Sequence, residues 1–84
     1  MTHALKTIAP YFTDIKDGVK LFELRKFDRD FKVGDQLLLQ EYNPVDKKYT
    51  GEEISVTITY ILQNAEKFGL KKGYCILGFS ESPF

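Results

Sequence analysis

Three charged side chains stand close together in the eight-residue stretch Gly18–Arg25. Lys20, Glu23 and Arg25 place a carboxylate between two cations, just after a glycine of the kind that ends helices. A guanidinium is a two-pronged donor for a phosphate or a base edge, and a lysine is a point charge. A carboxylate orients both, or accepts a hydrogen bond from a base amino group. These residue types at this spacing predict an anion-binding pocket.

Two other interpretations of this cluster remain open. Exposed ion pairs are common and contribute only about 0–1 kcal/mol, so the cluster could simply tie the helix end to the next strand. A lysine beside a carboxylate can also act as a general base or activate a nucleophile. In that case Lys20 and Glu23 would be the catalytic residues of a small hydrolase.

Five residues outside this stretch are candidates for a ligand-binding surface. Arg29, between two aspartates, either extends a positive rim or forms a local salt bridge in a turn. His3 and Lys6 are candidate cleft residues, with ordinary structural roles as the alternative. Tyr11 and Tyr42 are candidates for stacking on a base, although rings in a small domain more often pack in its core.

The sequence gives no indication of a metal or cofactor site. One His and one Cys are too few for a zinc site of the usual kind. The six glycines are scattered singly, so no phosphate-cradling loop is predicted, and no Ser-His-Asp arrangement can be built around a single His. We expect no cofactor and an inert buried thiol at Cys75.

A short strand and a helix are predicted to precede the charged cluster. Residues 3–7 indicate an edge strand. Pro10 suits the first turn of a helix, and Gly18 suits its end. The pattern predicts a helix of about two turns over 9–17. Its apolar stripe consists of Ile8, Tyr11, Phe12 and Ile15.

The charged cluster itself falls on a predicted strand at 20–26. Apolar and charged residues alternate there, and alternating side chains in a strand point to opposite faces. We expect Phe22 and Leu24 to face the core. Glu23 and Arg25 would then lie on the opposite face, with the lysine at the strand mouth brought round by twist.

Three later segments complete a mainly β (α+β) fold. The apolar run in 36–42 predicts a central strand, the alternation in 53–62 predicts a half-buried one, and 74–79 is apolar on both faces. A curled sheet of about five strands, closed toward a small β-barrel, would bury these faces. The one short helix, after the first strand, would plug one end of it.

Length and charge limit the function classes. The chain has 84 residues, which we interpret as a single domain over 1–84. Twelve basic and twelve acidic residues argue against a polycationic nucleic-acid coat, although residues 1–32 hold seven basic and five acidic side chains. The sequence has no apolar signal segment, and no apolar run approaches the roughly 18 residues of a membrane span. It also has a single cysteine. We therefore expect a cytoplasmic setting without a membrane partner.

The stretch from Gly18 to Arg25 resembles the signature G-x-K-x-x-E-x-R of the ASCH superfamily, which has a PUA-like fold. Flanking segments resemble a small bacterial and phage family of unknown function within that group. Phe27 departs from the polar residue, usually Asn, that this family carries there. The matching segments are His3-Ala4-Leu5-Lys6, Pro10-Tyr11-Phe12, Arg25-Lys26, Asp28-Arg29-Asp30-Phe31, Val33-Gly34-Asp35, Glu41-Tyr42, Tyr49-Thr50-Gly51 and Gly73-Tyr74.

The resemblance implies a PUA-like β-barrel with a cleft beside the helix, lined by Lys20, Glu23 and Arg25. It also implies RNA or a nucleotide-like molecule as the ligand, because the superfamily is associated with RNA. Some members resemble nucleases and others resemble amidohydrolases that act on an N4-acylated cytosine nucleoside, so a small hydrolase or a ribonuclease is the alternative. A protein-interaction adaptor is a third possibility, and the sequence leaves the oligomeric state open.

Overall fold

Five strands form one mixed sheet in the computed structural model, which describes residues 1–81. The sheet order is first, third, fourth, fifth and second strand, with the first pair parallel and the other three antiparallel. The fold is therefore mainly β, as the sequence predicts. In chain order the strands are β1 (Thr2–Ile8), β2 (Phe22–Lys26), β3 (Gln36–Asn43), β4 (Lys48–Leu62) and β5 (Tyr74–Ser80).

In the described part of the chain, residues 1–81, one α-helix, α1 (Tyr11–Lys16), follows β1. It is shorter than the predicted 9–17, and within the apolar stripe only Phe12 and Ile15 are buried. Gly18 ends the helical segment as predicted: its φ is +78°, and its N–H donates to the carbonyl of Ile15 at 3.0 Å. A short 3-10 turn at Glu66–Phe68 lies in the connector between β4 and β5. No helix within residues 1–81 is long and apolar enough to cross a membrane.

The sheet does not close into a barrel, so that prediction is wrong. β1 and β2 are its two edges, and we call the space between them the seam. Side chains cross the seam instead of backbone pairs: Arg25 Nη1 donates to the carbonyl of Lys6 at 2.9 Å, and Arg29 Nη1 donates to that of Ala4 at 3.4 Å. Because two guanidinium groups take up edge carbonyls of β1, the edges stay apart without leaving these acceptors unpaired.

The two faces of β2 are the reverse of those predicted. Glu23 and Arg25 are in register with the buried Leu77 and Cys75 of β5, so the charged residues share the core face of the sheet. Phe22 and Leu24, expected in the core, are 47% and 58% exposed. The alternation identified two faces correctly, but the inward face of this edge strand is the charged one. Glu23 pairs there with Lys20 and Arg25, and Arg25 donates across the seam to the carbonyl of Lys6.

The core lies between α1 and the inner face of the sheet. β3 is central, between β1 and β4, as its apolar run predicts. Cys75 is a buried free thiol, also as predicted, and burial raises its pKa. The buried core cluster consists of Leu5, Ile15, Phe31, Leu37, Leu39, Val56, Ile58, Cys75, Leu77 and Phe79.

Strand β4 is longer than the predicted 53–62 and is bent. Its first part pairs with the end of β3 in a hairpin that places Tyr49 opposite Tyr42. A register shift between Ile58 and Tyr60 breaks the alternation. Tyr60, which strict alternation would place on the same face as Ile58, is therefore exposed while Ile58 is fully buried.

Candidate functional site

The carboxylate of Glu23 is the centre of the charged cluster. Its Oε1 accepts a hydrogen bond from Lys20 Nζ at 2.6 Å, and its Oε2 lies 3.7 Å from Arg25 Nη1. Only 8% of the Glu23 side chain is exposed. A carboxylate this buried is costly unless cations and hydrogen bonds compensate it, so the pairing with both cations explains how it is tolerated.

The segment between α1 and β2 fixes the position of Lys20. Gly18 turns the chain out of the helix, and the N–H groups of Val19 and Lys20 both donate to the carbonyl of Asp14, at 3.0 and 3.1 Å. Lys20 Nζ also donates to the carbonyl of Phe22 at 2.7 Å. The ammonium group is therefore held by two acceptors, and 17% of its side chain remains exposed.

An open groove of about 350 Å³ lies beside this ammonium group. It is lined by Tyr11, Lys20, Phe22 and Leu24. Lys20 Nζ lies 4.8 Å from the ring centroid of Phe22 and 5.5 Å from that of Tyr11. The groove thus combines two partly exposed aromatic rings with one cation, which suits a flat, negatively charged ligand.

The groove opens at one end of the seam. Arg29 reaches β1 at Ala4 and Arg25 reaches it at Lys6, so β1 and β2 run antiparallel across the seam. The next positions along both edges lead to Tyr11, just beyond β1, and to Phe22, at the start of β2. The two arginines therefore bridge one part of the seam, and the groove residues Tyr11 and Phe22 lie beyond that part.

His3 lies apart from this groove, on the inner face of β1. Its Nε2 lies 2.7 Å from Asp35 Oδ2, and its ring packs edge-on against Phe31 with centroids 4.8 Å apart. The hydrogen bond from His3 holds the pKa of Asp35 below its ordinary value, supported by the N–H of Lys32 and opposed by burial. His3 thus has the hydrogen-bonded structural environment that was the alternative to a cleft role.

Lys6 and Arg29 also have partners of their own. Lys6 points outward from β1, and its Nζ lies 4.2 Å above the ring of Tyr42. Arg29, besides reaching β1, lies 3.8 Å from the carboxylate of Asp28, the local pair expected for a turn. The structure therefore brings together Lys20, Glu23, Arg25 and Tyr11 of the predicted site residues, with Arg29 farther along the seam.

The sequence did not predict the roles of three residues that line the groove or pair with a candidate site residue. Phe22 and Leu24 line the groove, although their apolar character suggested a place in the core. Asp35 pairs with His3, although the Val-Gly-Asp segment that contains it indicated only a turn. A single sequence does not identify the pair of Asp35 and His3, because the two residues are 32 positions apart. It does not identify the groove residues Phe22 and Leu24 either, because which face of β2 is buried depends on the contacts across the seam.

Within residues 1–81 no group of three or more His, Cys, Asp or Glu side chains is arranged to hold a metal ion. The cluster around Glu23 presents two cations to its carboxylate, which opposes the approach of a further cation.

A family model described as a domain of unknown function, DUF3850, matches residues 2–79. The chain belongs to this family. It is also similar to an uncharacterized 12.9 kDa protein in the GpA 3′ region of Escherichia phage P2, with 39% identity over 57 residues. The match covers 68% of this chain and 50% of that relative, so the chain spans about half the length of the phage protein it matches. Because the model match covers almost the whole chain, the Gly18–Arg25 stretch and the groove lie inside the family domain.

Proposed function

We propose that the groove binds single-stranded RNA or a nucleotide-like ligand. The observation that carries the proposal is the place of the Lys20 ammonium group, within 6 Å of two aromatic rings that line one groove. Bases stack on aromatic faces whatever their sequence, and a nearby cation meets the phosphate. An open sheet with a short groove suits splayed bases better than a duplex.

The residues of the groove take different parts in this proposal. Tyr11 and Phe22 supply stacking surfaces, and Lys20 supplies the charge for a phosphate. Glu23 and Arg25 support the groove without contacting the ligand. Glu23 positions the ammonium group of Lys20, and Arg25 positions Glu23 and the β1 edge. This division differs from the expectation that Arg25 contacts the ligand directly, because Arg25 is already bonded to the carbonyl of Lys6.

The resemblance to the ASCH superfamily is a further support for an RNA-related role. Gly18, Lys20, Glu23 and Arg25 carry the signature, and three of them form the charged cluster beside the groove. We extend the proposal to membership of that PUA-like group, with an open sheet in place of a closed barrel, and to a cytoplasmic setting.

Binding of a fluorescein-labelled, mixed-sequence single-stranded RNA, followed by anisotropy at low salt, tests the proposal. We expect Lys20→Met to weaken binding about 10- to 150-fold through loss of a charge-assisted contact. The matched control is Lys67→Met, which removes an equally charged residue from the 3-10 turn and should bind like the unaltered chain. Circular dichroism checks that both variants are folded. Absence of binding to the unaltered chain, or equal loss in both variants, would contradict the proposal.

The short contact between Lys20 and Glu23 favours one second candidate, a small hydrolase acting on an N4-acylated cytosine nucleoside or a ribonuclease. In such an enzyme Lys20 and Glu23 would be catalytic, with the carboxylate taking or returning a proton. Incubation with N4-acetylcytidine or RNA, followed by chromatography, tests it. In a hydrolase Glu23→Gln should reduce turnover about 10²- to 10⁴-fold. Product formation no faster than without protein would exclude the tested reaction.

A further inference from the structure

We propose that a nucleic-acid strand seated in the groove continues across the end of β1 onto a second stacking site formed by Tyr49, Tyr42 and Lys6. The inference rests on the proposed function and makes its ligand an oligonucleotide rather than a mononucleotide. It also assigns a role to Tyr42 and Lys6, which lie outside the cluster around Glu23.

The second site is a cation and two tyrosine rings on the outward face of the sheet. Tyr42 and Tyr49 are register partners, and their rings meet edge to face with centroids 5.2 Å apart. Lys6 Nζ lies 4.2 Å above the Tyr42 ring. Lys6 and Tyr49 both contact the ring of Tyr42, so the Tyr42 ring fixes the positions of the other two side chains. Tyr49 is 53% exposed, so it is the ring with surface left for a base.

The second site adjoins the groove along the chain and through the sheet. Ile8, the last residue of β1, is the register partner of Tyr42, and the N–H of Ala9 donates to the carbonyl of Tyr42 at 3.4 Å. Tyr11 follows three residues after Ile8, which places it within about 15 Å of Tyr42 along the backbone. Sites for about 4–16 nucleotides are usual for small β domains that bind single strands.

Both sites open to the same side of the sheet. Lys6 and Ile8 alternate with the buried residues of β1 and point outward. On β2, Phe22 and Leu24 likewise occupy the outward positions. At the seam, where Arg25 and Arg29 connect the two edges, a strand leaving the groove meets the outward side of β1 without passing through the core.

The cation over Tyr42 favours this route over the one that leads across β5 to Tyr60. Phe22 is in register with Gly78 of β5, which is itself in register with the exposed Tyr60 of β4, so an aromatic surface also extends that way. No cation within residues 1–81 is placed over Tyr60, whereas Lys6 lies over Tyr42. Glu41 is the acidic neighbour of Tyr42, and its carboxylate accepts a hydrogen bond from the Thr50 hydroxyl at 2.7 Å.

The test compares uridine monophosphate with a hexanucleotide of uridine, by isothermal titration at low salt. We expect the hexamer to bind at least about 5-fold more tightly, because it engages a second stacking site. Tyr49→Ala should weaken hexamer binding about 5- to 150-fold and leave binding of the monophosphate unchanged. Phe68→Ala, which removes an exposed ring from the 3-10 turn, is the control and should bind both ligands like the unaltered chain.

The outcomes separate this inference from the proposed function. Equal affinity for the two ligands, with Tyr49→Ala binding like the unaltered chain, would overturn the second site and leave the groove standing. Loss of hexamer binding in Tyr60→Ala but not in Tyr49→Ala would overturn it in favour of the route across β5. Failure of both ligands to bind the unaltered chain would overturn the two proposals together.

Discussion

At the scale of single residues, Glu23 shows how a charged side chain is held inside a small domain. Its carboxylate is almost fully buried and has Lys20 at 2.6 Å and Arg25 at 3.7 Å. One interpretation of the sequence was an exposed ion pair that contributes little to stability. The burial found in the structure raises the importance of each partner, because removal of one leaves the carboxylate poorly compensated.

Removal of the Lys20 charge should therefore affect stability as well as binding. We expect Lys20→Met to lower the free energy of unfolding by about 1–3 kcal/mol. The double variant Lys20→Met/Glu23→Gln should recover part of this loss, since it no longer buries an unpaired charge. Urea unfolding of the single and double variants measures both. Equal stability of Lys20→Met and the unaltered chain would mean that the contact with Glu23 contributes nothing.

Because His3 and Asp35 are paired, the free energy of unfolding should vary with pH in the acid range. The folded pKa of Asp35 lies below its ordinary value of 3.8, with the His3 hydrogen bond as the largest cause. An ionised Asp35 therefore stabilises the fold above the unfolded-state pKa, and this contribution is lost as the pH falls through the folded-state pKa.

We expect the free energy of unfolding to fall from pH 5 toward pH 2 less steeply in Asp35→Asn than in the unaltered chain. Asp30→Asn is the control, because Asp30 is an exposed aspartate whose partner, Lys32, is also exposed. Denaturant titrations at a series of pH values provide the comparison. Parallel curves for Asp35→Asn and the unaltered chain would show that Asp35 does not contribute.

At the scale of elements, the seam between β1 and β2 is the feature that the sequence did not predict. The edge position of β1, the central position of β3 and the glycine at the end of the helical segment all follow from local patterns. The inward face of β2 does not, because alternation defines two faces without saying which one is buried. It depends on Arg25 and its bond to Lys6, a residue 19 positions away.

Loss of the seam contacts should expose the β1 edge. Arg25→Met removes a hydrogen bond of 2.9 Å to the Lys6 carbonyl and one neighbour of Glu23, so we expect a loss of about 1 kcal/mol in unfolding free energy. An unprotected edge also favours pairing between molecules. Sedimentation velocity should detect self-association of Arg25→Met that Lys26→Met, altered at an exposed position of the same strand, does not show. A monomer as stable as the control would contradict this role.

The turn at Gly18 offers a second test at this scale. A left-handed φ of +78° disfavours any side chain, and a Cβ would lie 2.9 Å from Glu81 Oε1. We expect Gly18→Ala to lower the unfolding free energy by about 1–2 kcal/mol. Gly51→Ala is matched, since its φ is +96° but nothing lies within 4 Å of the added carbon. Thermal unfolding of the two variants separates backbone strain from the contact with Glu81.

At the scale of the whole molecule, a chain of zero formal net charge holds a groove in which a cation and two rings lie together. The family match covers almost the whole chain, whereas the phage relative extends to about twice the matched length. We expect salt to weaken RNA binding only moderately, because one or two phosphate contacts correspond to a loss of about three- to seven-fold between 50 and 200 mM salt. Anisotropy titrations at several salt concentrations give the slope.

The most direct test of the groove as a nucleic-acid site is a titration of the ¹⁵N-labelled chain with a single-stranded hexanucleotide, followed by two-dimensional NMR. We expect saturable shifts of the backbone signals of Tyr11, Lys20, Phe22 and Leu24, and their loss in Lys20→Met at the same RNA concentration. Shifts confined to other parts of the sheet, or a spectrum unchanged at the highest RNA concentration, would contradict it.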